Sequence, residues 1–334
     1  SLAGVMVDDV RILLFDEPLA NLDPAAGKQA IELIDEIGRS SGAAVVIIEH
    51  RLEDVLHRPV DRVVLMNEGQ IVADLPGDQL LCGKMLAENG IREPLYVTAL
   101  KYAGVALTPA MRPADIAALT LSEGDASRVR SWFLAGQDAP RRAEGPEILR
   151  ARDISFAYSN GKRALSGVSL AVRAGEMLSI VGQNGAGKST FSKVVCGFER
   201  QQRGELRFEG RDLAGEDIAE RARHIGYVMQ NPNQMISHAM ILDEVASGLV
   251  NRGLERAEIE RRVHQSLKIC GLYPFRNWPV SALSFGQKKR VTIASILALE
   301  PRVIFLDEPT AGQDFRHYTE IMEFLRGLNA RGVT

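Results

Sequence analysis

Residues 182–190 read Gly182-Gln-Asn-Gly-Ala-Gly-Lys-Ser-Thr190, the pattern G-x-x-x-x-G-K-[ST] with a further threonine. Such a loop joins a strand to a helix and wraps a phosphate. The apolar run Met177-Leu-Ser-Ile-Val181 before it is predicted as a buried parallel strand, and Thr190-Phe-Ser-Lys-Val-Val-Cys196 after it as a helix. Gly182, Gly185 and Gly187 let the backbone bend until successive N–H groups, Asn184 among them, face one anion; the helix N-terminus adds partial positive charge. Lys188 then reaches the β- and γ-phosphates, and the Ser189 hydroxyl is placed for Mg²⁺, which takes oxygen ligands and keeps several waters. A glycine-rich turn without a ligand is the bland alternative; the strand-turn-helix setting argues against it.

The 334 residues allow two domains, and 46% hydrophobic with 25% charged residues is ordinary for a globular protein. A net charge of −3 lays down no broad basic footprint, so nucleic acid is not an expected partner. Cys82, Cys196 and Cys270 are scattered without C-x-x-C spacing and read as small apolar core residues. Apolar runs of about 18 residues, the length of a membrane span, do not occur.

Two distant stretches repeat. Arg11-Ile-Leu-Leu-Phe-Asp-Glu-Pro18 and Arg302-Val-Ile-Phe-Leu-Asp-Glu-Pro309 share a basic residue, four apolar residues and Asp-Glu-Pro, and Asp16 and Asp307 lie 291 residues apart. That period is too long for a solenoid and means two copies of a domain. Each apolar run predicts a strand carrying its carboxylates to its C-terminal end, where parallel sheets bind ligands. A helix is predicted over Pro24 to Arg39 with apolar Ile31, Leu33, Ile34 and Ile37, then a strand over Ala43 to Ile48 that delivers Glu49-His50 to the same edge. Strands at Arg62–Met66 and Gln70–Asp74 flank the turn Asn67-Glu-Gly69, residues 84–147 read as a partly helical connector, and a second domain opens at Glu147. Tyr158, ahead of the phosphate loop, is open to two readings: stacking on a nucleobase or packing in a strand core.

Taken together, these motifs resemble the nucleotide-binding domain of ATP-binding-cassette (ABC) proteins, over residues 148–334 and roughly 1–83. The resemblance implies an α/β P-loop NTPase fold: a RecA-like parallel core, an antiparallel β subdomain and a helical signature subdomain, preceded by the C-terminal half of a second copy. It implies ATP and Mg²⁺ as cofactors. The phosphate loop, Thr190 included, matches Walker A, Tyr158 the adenine-stacking aromatic, and Gln230 the Q-loop ligand of Mg²⁺ and water. Leu283-Ser-Phe-Gly-Gln287 is similar to the signature, with Ser284, Gly286 and Gln287 matching and Phe285 where glycine is usual. Asp307 and Glu308 match Walker B, and Ala311-Gly-Gln-Asp314 the D-loop; in the first copy Asp16-Glu17 match Walker B, Asn21-Leu-Asp23 the D-loop and His50 the switch histidine. Asp307 and Asp16 would then hold Mg²⁺, while Glu308, Glu17 and His50 carry the catalytic role. A glutamate of ordinary pKa near 4.3 is ionised at neutral pH and can accept a hydrogen bond from the attacking water. Lys288-Lys-Arg290 reads otherwise as a solvated helix face for at least two of its three members.

Gln230-Asn-Pro-Asn-Gln-Met-Ile236 with Asp243-Glu-Val-Ala246, and the connector around Gly90–Gly104, look like the energising ATPases of energy-coupling-factor (ECF) importers. That likeness implies membrane-embedded partner subunits, an opposing nucleotide-binding domain, a cytoplasmic position on the inner membrane face, and a vitamin precursor or cobalt or nickel ion as cargo. Ile236–Leu242 would receive a helix of the membrane partner or else pack in the helical core. A soluble twin-cassette protein acting on ribosomes or in DNA repair is the alternative. The first copy opens just ahead of Asp16 and the second switch histidine would fall beyond Thr334, so the chain is expected to be a fragment that binds Mg-ATP with little turnover.

Overall fold

The structure is a computed structural model describing residues 10–20, 22–136, 145–310 and 315–334; Asn21 and the D-loop stretch 311–314 lie outside the described residues. The described residues fall into two compact units, one within 1–140 with 314–316 and the other within 141–313 with 317–334.

In the first unit β1 (Ile12–Asp16) and β2 (Ala44–Ile48) pair in parallel, Ile12 opposite Ala44 and Asp16 opposite Ile48. A parallel pair needs a crossover, supplied by α1 (Pro24–Ser41). Asp23 caps α1 by accepting from the Ala26 N–H at 2.9 Å, and Gly42, at φ 68°, closes it. Of the four apolar positions expected to face the core, Ile31 and Ile34 do so, against Phe15, Leu19, Val45 and Ile47. Leu33 is 48% exposed, because one residue along a 3.6-residue turn rotates a side chain by roughly 100°. The antiparallel strands β3 (Val63–Asn67) and β4 (Gln70–Leu75) form the expected hairpin. Glu68 and Gly69, at φ 48° and 76°, give it the left-handed turn that matches strand twist. Within the segment read as a connector, α2 (Leu95–Tyr102) and α3 (Glu123–Ala135) are helical. Leu86 and Val97 share one core with Leu65, Leu80 and Leu81, so the start of that segment is packed onto the hairpin.

The second unit opens with an antiparallel layer of β5 (Glu147–Ala157), β6 (Arg163–Arg173), β7 (Arg203–Phe208) and β8 (Arg211–Asp212), in the order β6-β5-β7-β8. Ile148, Ile154 and Phe156 are buried as their spacing predicts, together with Phe191, Val194 and Val195 of α4 (Lys188–Cys196). The parallel core is β9 (Ile225–Val228) beside β10 (Val303–Leu306). Helices α5 (Ile241–Asn251), α6 (Arg256–Ile269) and α7 (Phe285–Ala298) form the helical subdomain, its core shared with Ile321, Leu325 and Leu328 of α8 (Phe315–Ala330). The fold class read from the sequence therefore holds.

One element departs from expectation. Met177–Val181 is not a strand: it pairs with no described strand, and Val181 is 87% exposed. A strand is a hydrogen-bonded ladder as well as an apolar pattern. Here a cavity of about 490 Å³ separates 177–181 from the facing edge of β10, where the Ile304 N–H donates to the Thr334 carbonyl at 2.9 Å.

Candidate functional site

The phosphate loop enters α4 through Gly187, which sits at φ 96° as the N-cap. A Cβ there would lie 2.5 Å from the Ala164 carbonyl oxygen, so only glycine fits. Gly185, at φ 80°, also needs glycine's freedom. Gly182 does not adopt positive φ, which corrects the reading that all three glycines bend the loop; what it supplies is room beside Ala186, whose Cβ would be 3.2 Å away. Asn184 is exposed on the loop. The Lys188 ammonium donates to the Gly182 and Gln183 carbonyls at 2.8 and 3.0 Å, a cation held over its own loop. Thr190 is buried, its hydroxyl sharing a 2.9 Å hydrogen bond with the Tyr158 hydroxyl. The Tyr158 ring packs edge-on against Phe156 at 4.9 Å, so this residue is tied to α4 through its hydroxyl and to the core through its ring. At the far end of α4 the buried Arg221 guanidinium donates to the Val194 and Val195 carbonyls at 2.9 and 3.0 Å, satisfying the helix C-terminus with positive charge. Nothing in the sequence pattern singled out Arg221.

Folding brings the loop to the carboxylates. Ser189 Oγ donates to Asp307 Oδ1 at 2.9 Å, bridging residues 118 apart. The other oxygen, Oδ2, accepts from the Tyr227 hydroxyl at 2.9 Å. Burial first, and the Asp307 charge second, push the Tyr227 phenol above its ordinary pKa. Gln230 Nε2 donates to Glu308 Oε2 at 2.7 Å, so the residue read as a Q-loop ligand reaches the residue read as the general base. Lys188, Asp307, Glu308 and Thr310 line the same cavity. Ser189 Oγ, the Asp307 carboxylate and the Gln230 amide oxygen are hard donors, and few enough to leave places for water and phosphate, which fits Mg²⁺.

Lys289 is the one member of the basic triplet that leaves the solvated face. It is 1% exposed, and its ammonium donates to the Glu308 carbonyl at 2.9 Å. Burial pushes it down to about 8, opposed by the Glu308 and Asp307 charges. Arg290 stays half-exposed and pairs with Glu320 at 3.0 Å. Lys288 lines a groove of about 290 Å³ together with Asn233, Ile236, His238 and Pro279. The loop beside that groove is held by buried Glu244, which accepts from the Ser237 and His238 N–H groups at 2.8 and 2.9 Å. Ile236–Leu242 is divided between the two readings left open for it: Ile241 is buried in the helical core while Ile236 and His238 line the groove.

Ser284 is the N-cap of α7. Its hydroxyl accepts from the Gln287 N–H at 3.3 Å, and the Gln287 side chain accepts from the Ser284 N–H at 3.0 Å. The string Ser-Phe-Gly-Gln is thus a reciprocal capping box, legible in the sequence as S-x-x-Q, with Gly286 inside the first turn. None of Ser284, Gly286 and Gln287 lines the cavity that holds Lys188.

In the first unit the parallel register of β1 and β2 brings the two strand ends together. The Glu17 N–H donates to the Ile48 carbonyl at 2.9 Å, and His50 Nδ1 lies 3.9 Å from Glu17 Oε1. Asp16 closes β1 opposite Ile48. Glu17 and Glu308 share φ 44°, an uncommon conformation for glutamate that the two Asp-Glu-Pro turns hold alike.

Comparison with known proteins gives likenesses of sequence and fold. Residues 165–311 match the family described as ABC transporter, and residues 83–156 the family described as ATP-binding cassette cobalt transporter. The chain is 56% identical over its whole length to a putative ABC transporter ATP-binding protein of Clostridium perfringens, and 51% identical to one of Photobacterium profundum. It spans 59% of the length of each of these curated relatives. Among solved structures it resembles cbiO1 from Clostridium perfringens, part of the ABC transporter complex cbiONQ, with 37% identity and TM-score 0.54 over 56% of this chain and 76% of that one. The ATP-binding cassette MJ1267 matches at 29% identity and TM-score 0.52, covering 57% of this chain and 79% of its own.

Proposed function

The chain belongs to the ATP-binding-cassette ATPases, and from that premise we propose that it binds and hydrolyses ATP to drive import through a membrane partner of the energy-coupling-factor type. The observation that carries the nucleotide site is the Ser189–Asp307 hydrogen bond, which joins the phosphate loop to the carboxylate strand. Ser189, Asp307 and Gln230 would hold Mg²⁺, which when bound neutralises phosphate charge. Lys188 anchors the β- and γ-phosphates. Glu308, oriented by Gln230, accepts the hydrogen bond of the attacking water.

Cobalt or nickel is the favoured cargo over a vitamin precursor, supported by the cobalt-transporter family match over residues 83–156 and by the likeness to a cbiONQ component. The groove lined by Asn233, Ile236, His238 and Lys288 is our candidate seat for the membrane partner, which would hold the chain on the inner membrane face. Among the described residues no helix is long and apolar enough to cross a membrane by itself. The signature residues 284–287 stand away from the Lys188 cavity and would serve the nucleotide of an opposing cassette. Phosphate release with and without Lys188→Ala tests the ATPase. Fractionation of expressing cells tests the setting: recovery with membranes supports the importer, recovery with ribosomes the alternative reading.

A further inference from the structure

The Asp307 carboxylate has two donors, one on each oxygen: Ser189 Oγ on Oδ1 and the Tyr227 hydroxyl on Oδ2, both at 2.9 Å. Each carboxylate oxygen has two lone pairs, so one on each remains after these bonds. The two donors come from different elements, α4 and β9, and together they fix the plane of the carboxylate about its last side-chain torsion, which is otherwise broad. Tyr227 is itself held. It lies opposite Phe305 in the β9–β10 register, Phe305 stands two residues ahead of Asp307 in the chain, and the Tyr227 ring packs against Phe198 with centroids 5.5 Å apart. Ser189 lies in the first turn of α4, directly after the loop, whereas Tyr227 belongs to the paired strands.

We propose that the Tyr227 hydroxyl is a positioning group that aims the Asp307 carboxylate, and through it sets the affinity of the divalent cation bound with ATP. The inference rests on the nucleotide-site reading above. Tyr227 touches neither phosphate nor cation; its effect passes entirely through Asp307. Replacing it by phenylalanine removes one oxygen and keeps the ring, its contact with Phe198 and the strand.

Mn²⁺ titration of the chain followed by electron paramagnetic resonance, with a non-hydrolysable ATP analogue present, tests this directly. Tyr227→Phe should weaken Mn²⁺ binding on the order of 10-fold, the low end for a partner that orients a metal ligand, while analogue affinity in EDTA stays within about 2-fold. In an Asp307→Ala background the same change should have no further effect, since a group acting through Asp307 has nothing left to aim. Unchanged Mn²⁺ affinity in Tyr227→Phe overturns the proposal, and so does an equal loss in the Asp307→Ala background, which would make the effect one of packing. If the wild-type chain binds the analogue no better with Mn²⁺ than without, the nucleotide-site reading itself falls, a result distinguishable from failure of Tyr227 alone.

Discussion

The Lys289 ammonium donates to the backbone carbonyl of Glu308 across 2.9 Å, from inside the helix whose first residues are the signature. A buried cation thus grips the turn that presents Asp307 and Glu308, and Glu308 is held there at φ 44°. Burial carries a cost: Lys289 is pushed from 10.5 down to about 8. Below pH 8 both the folded and unfolded chains carry the proton, and the penalty is constant. Between about 8 and 10.5 the unfolded chain binds more protons than the folded one, so this residue makes stability rise with pH across that window.

The first prediction follows from that sign. Urea denaturation of wild type and Lys289→Met should show the mutant equal to or more stable than wild type at pH 7, because an apolar side chain of similar size removes the burial penalty. The difference should move in favour of wild type as pH rises from about 8 to 10. A mutant deficit that is constant with pH would mean that Lys289 contributes by packing alone.

Glu308→Gln should leave nucleotide binding intact and slow turnover by roughly 10²- to 10⁴-fold in any assembly that hydrolyses ATP, the usual contribution of a positioned base. The amide keeps the shape and can still meet Gln230, but takes no proton. An unchanged hydrolysis rate, measured by phosphate release, would assign the base elsewhere.

Cys196 and Cys270 are buried, and burial pushes each thiol up to about 12, leaving almost no thiolate at neutral pH. Cys82, half-buried, is also raised by burial, but less deeply enclosed. Iodoacetamide on the native chain should therefore label Cys82 first, with all three labelled in urea. Mass spectrometry of the labelled peptides reads this out, and early labelling of Cys196 would mean that the core under α4 opens.

Ser284→Ala should cost about 1 kcal/mol of stability, the typical loss for an N-cap, because the Gln287 N–H loses its acceptor. Denaturant melts measure it. Stability equal to wild type would show that the capping box contributes nothing and that this serine is kept for ligand contact alone.

The sequence made some of this legible and hid the rest for physical reasons. The phosphate loop could be read because glycine is required at Gly185 and Gly187 by backbone geometry, which leaves a spacing in the chain. The repeated Asp-Glu-Pro stretches foretold the shared turn at Glu17 and Glu308, and the strand after the first of them brought His50 to Glu17. By contrast, an apolar run at 177–181 states that the residues avoid water and says nothing of a backbone partner. Lys289 looked like its neighbours in Lys288-Lys-Arg290; helical rotation alone decides which of three adjacent cations turns inward. Tyr227 carried no motif at all, since its role depends on the pairing of two strands 75 or more residues apart, and its only signal was a phenol three residues before Gln230.

The most direct measurement is equilibrium binding of a fluorescent ATP analogue with Mg²⁺ to the wild-type chain and to Lys188→Ala. Lys188 is the one cation within residues 182–190, and charge-assisted hydrogen bonds to phosphate are the strong ones. Wild type should bind saturably and Lys188→Ala should show no detectable binding, with both melting as cooperative folded chains. Wild-type affinity retained in Lys188→Ala would contradict the account, because the nucleotide would then be anchored somewhere other than residues 182–190.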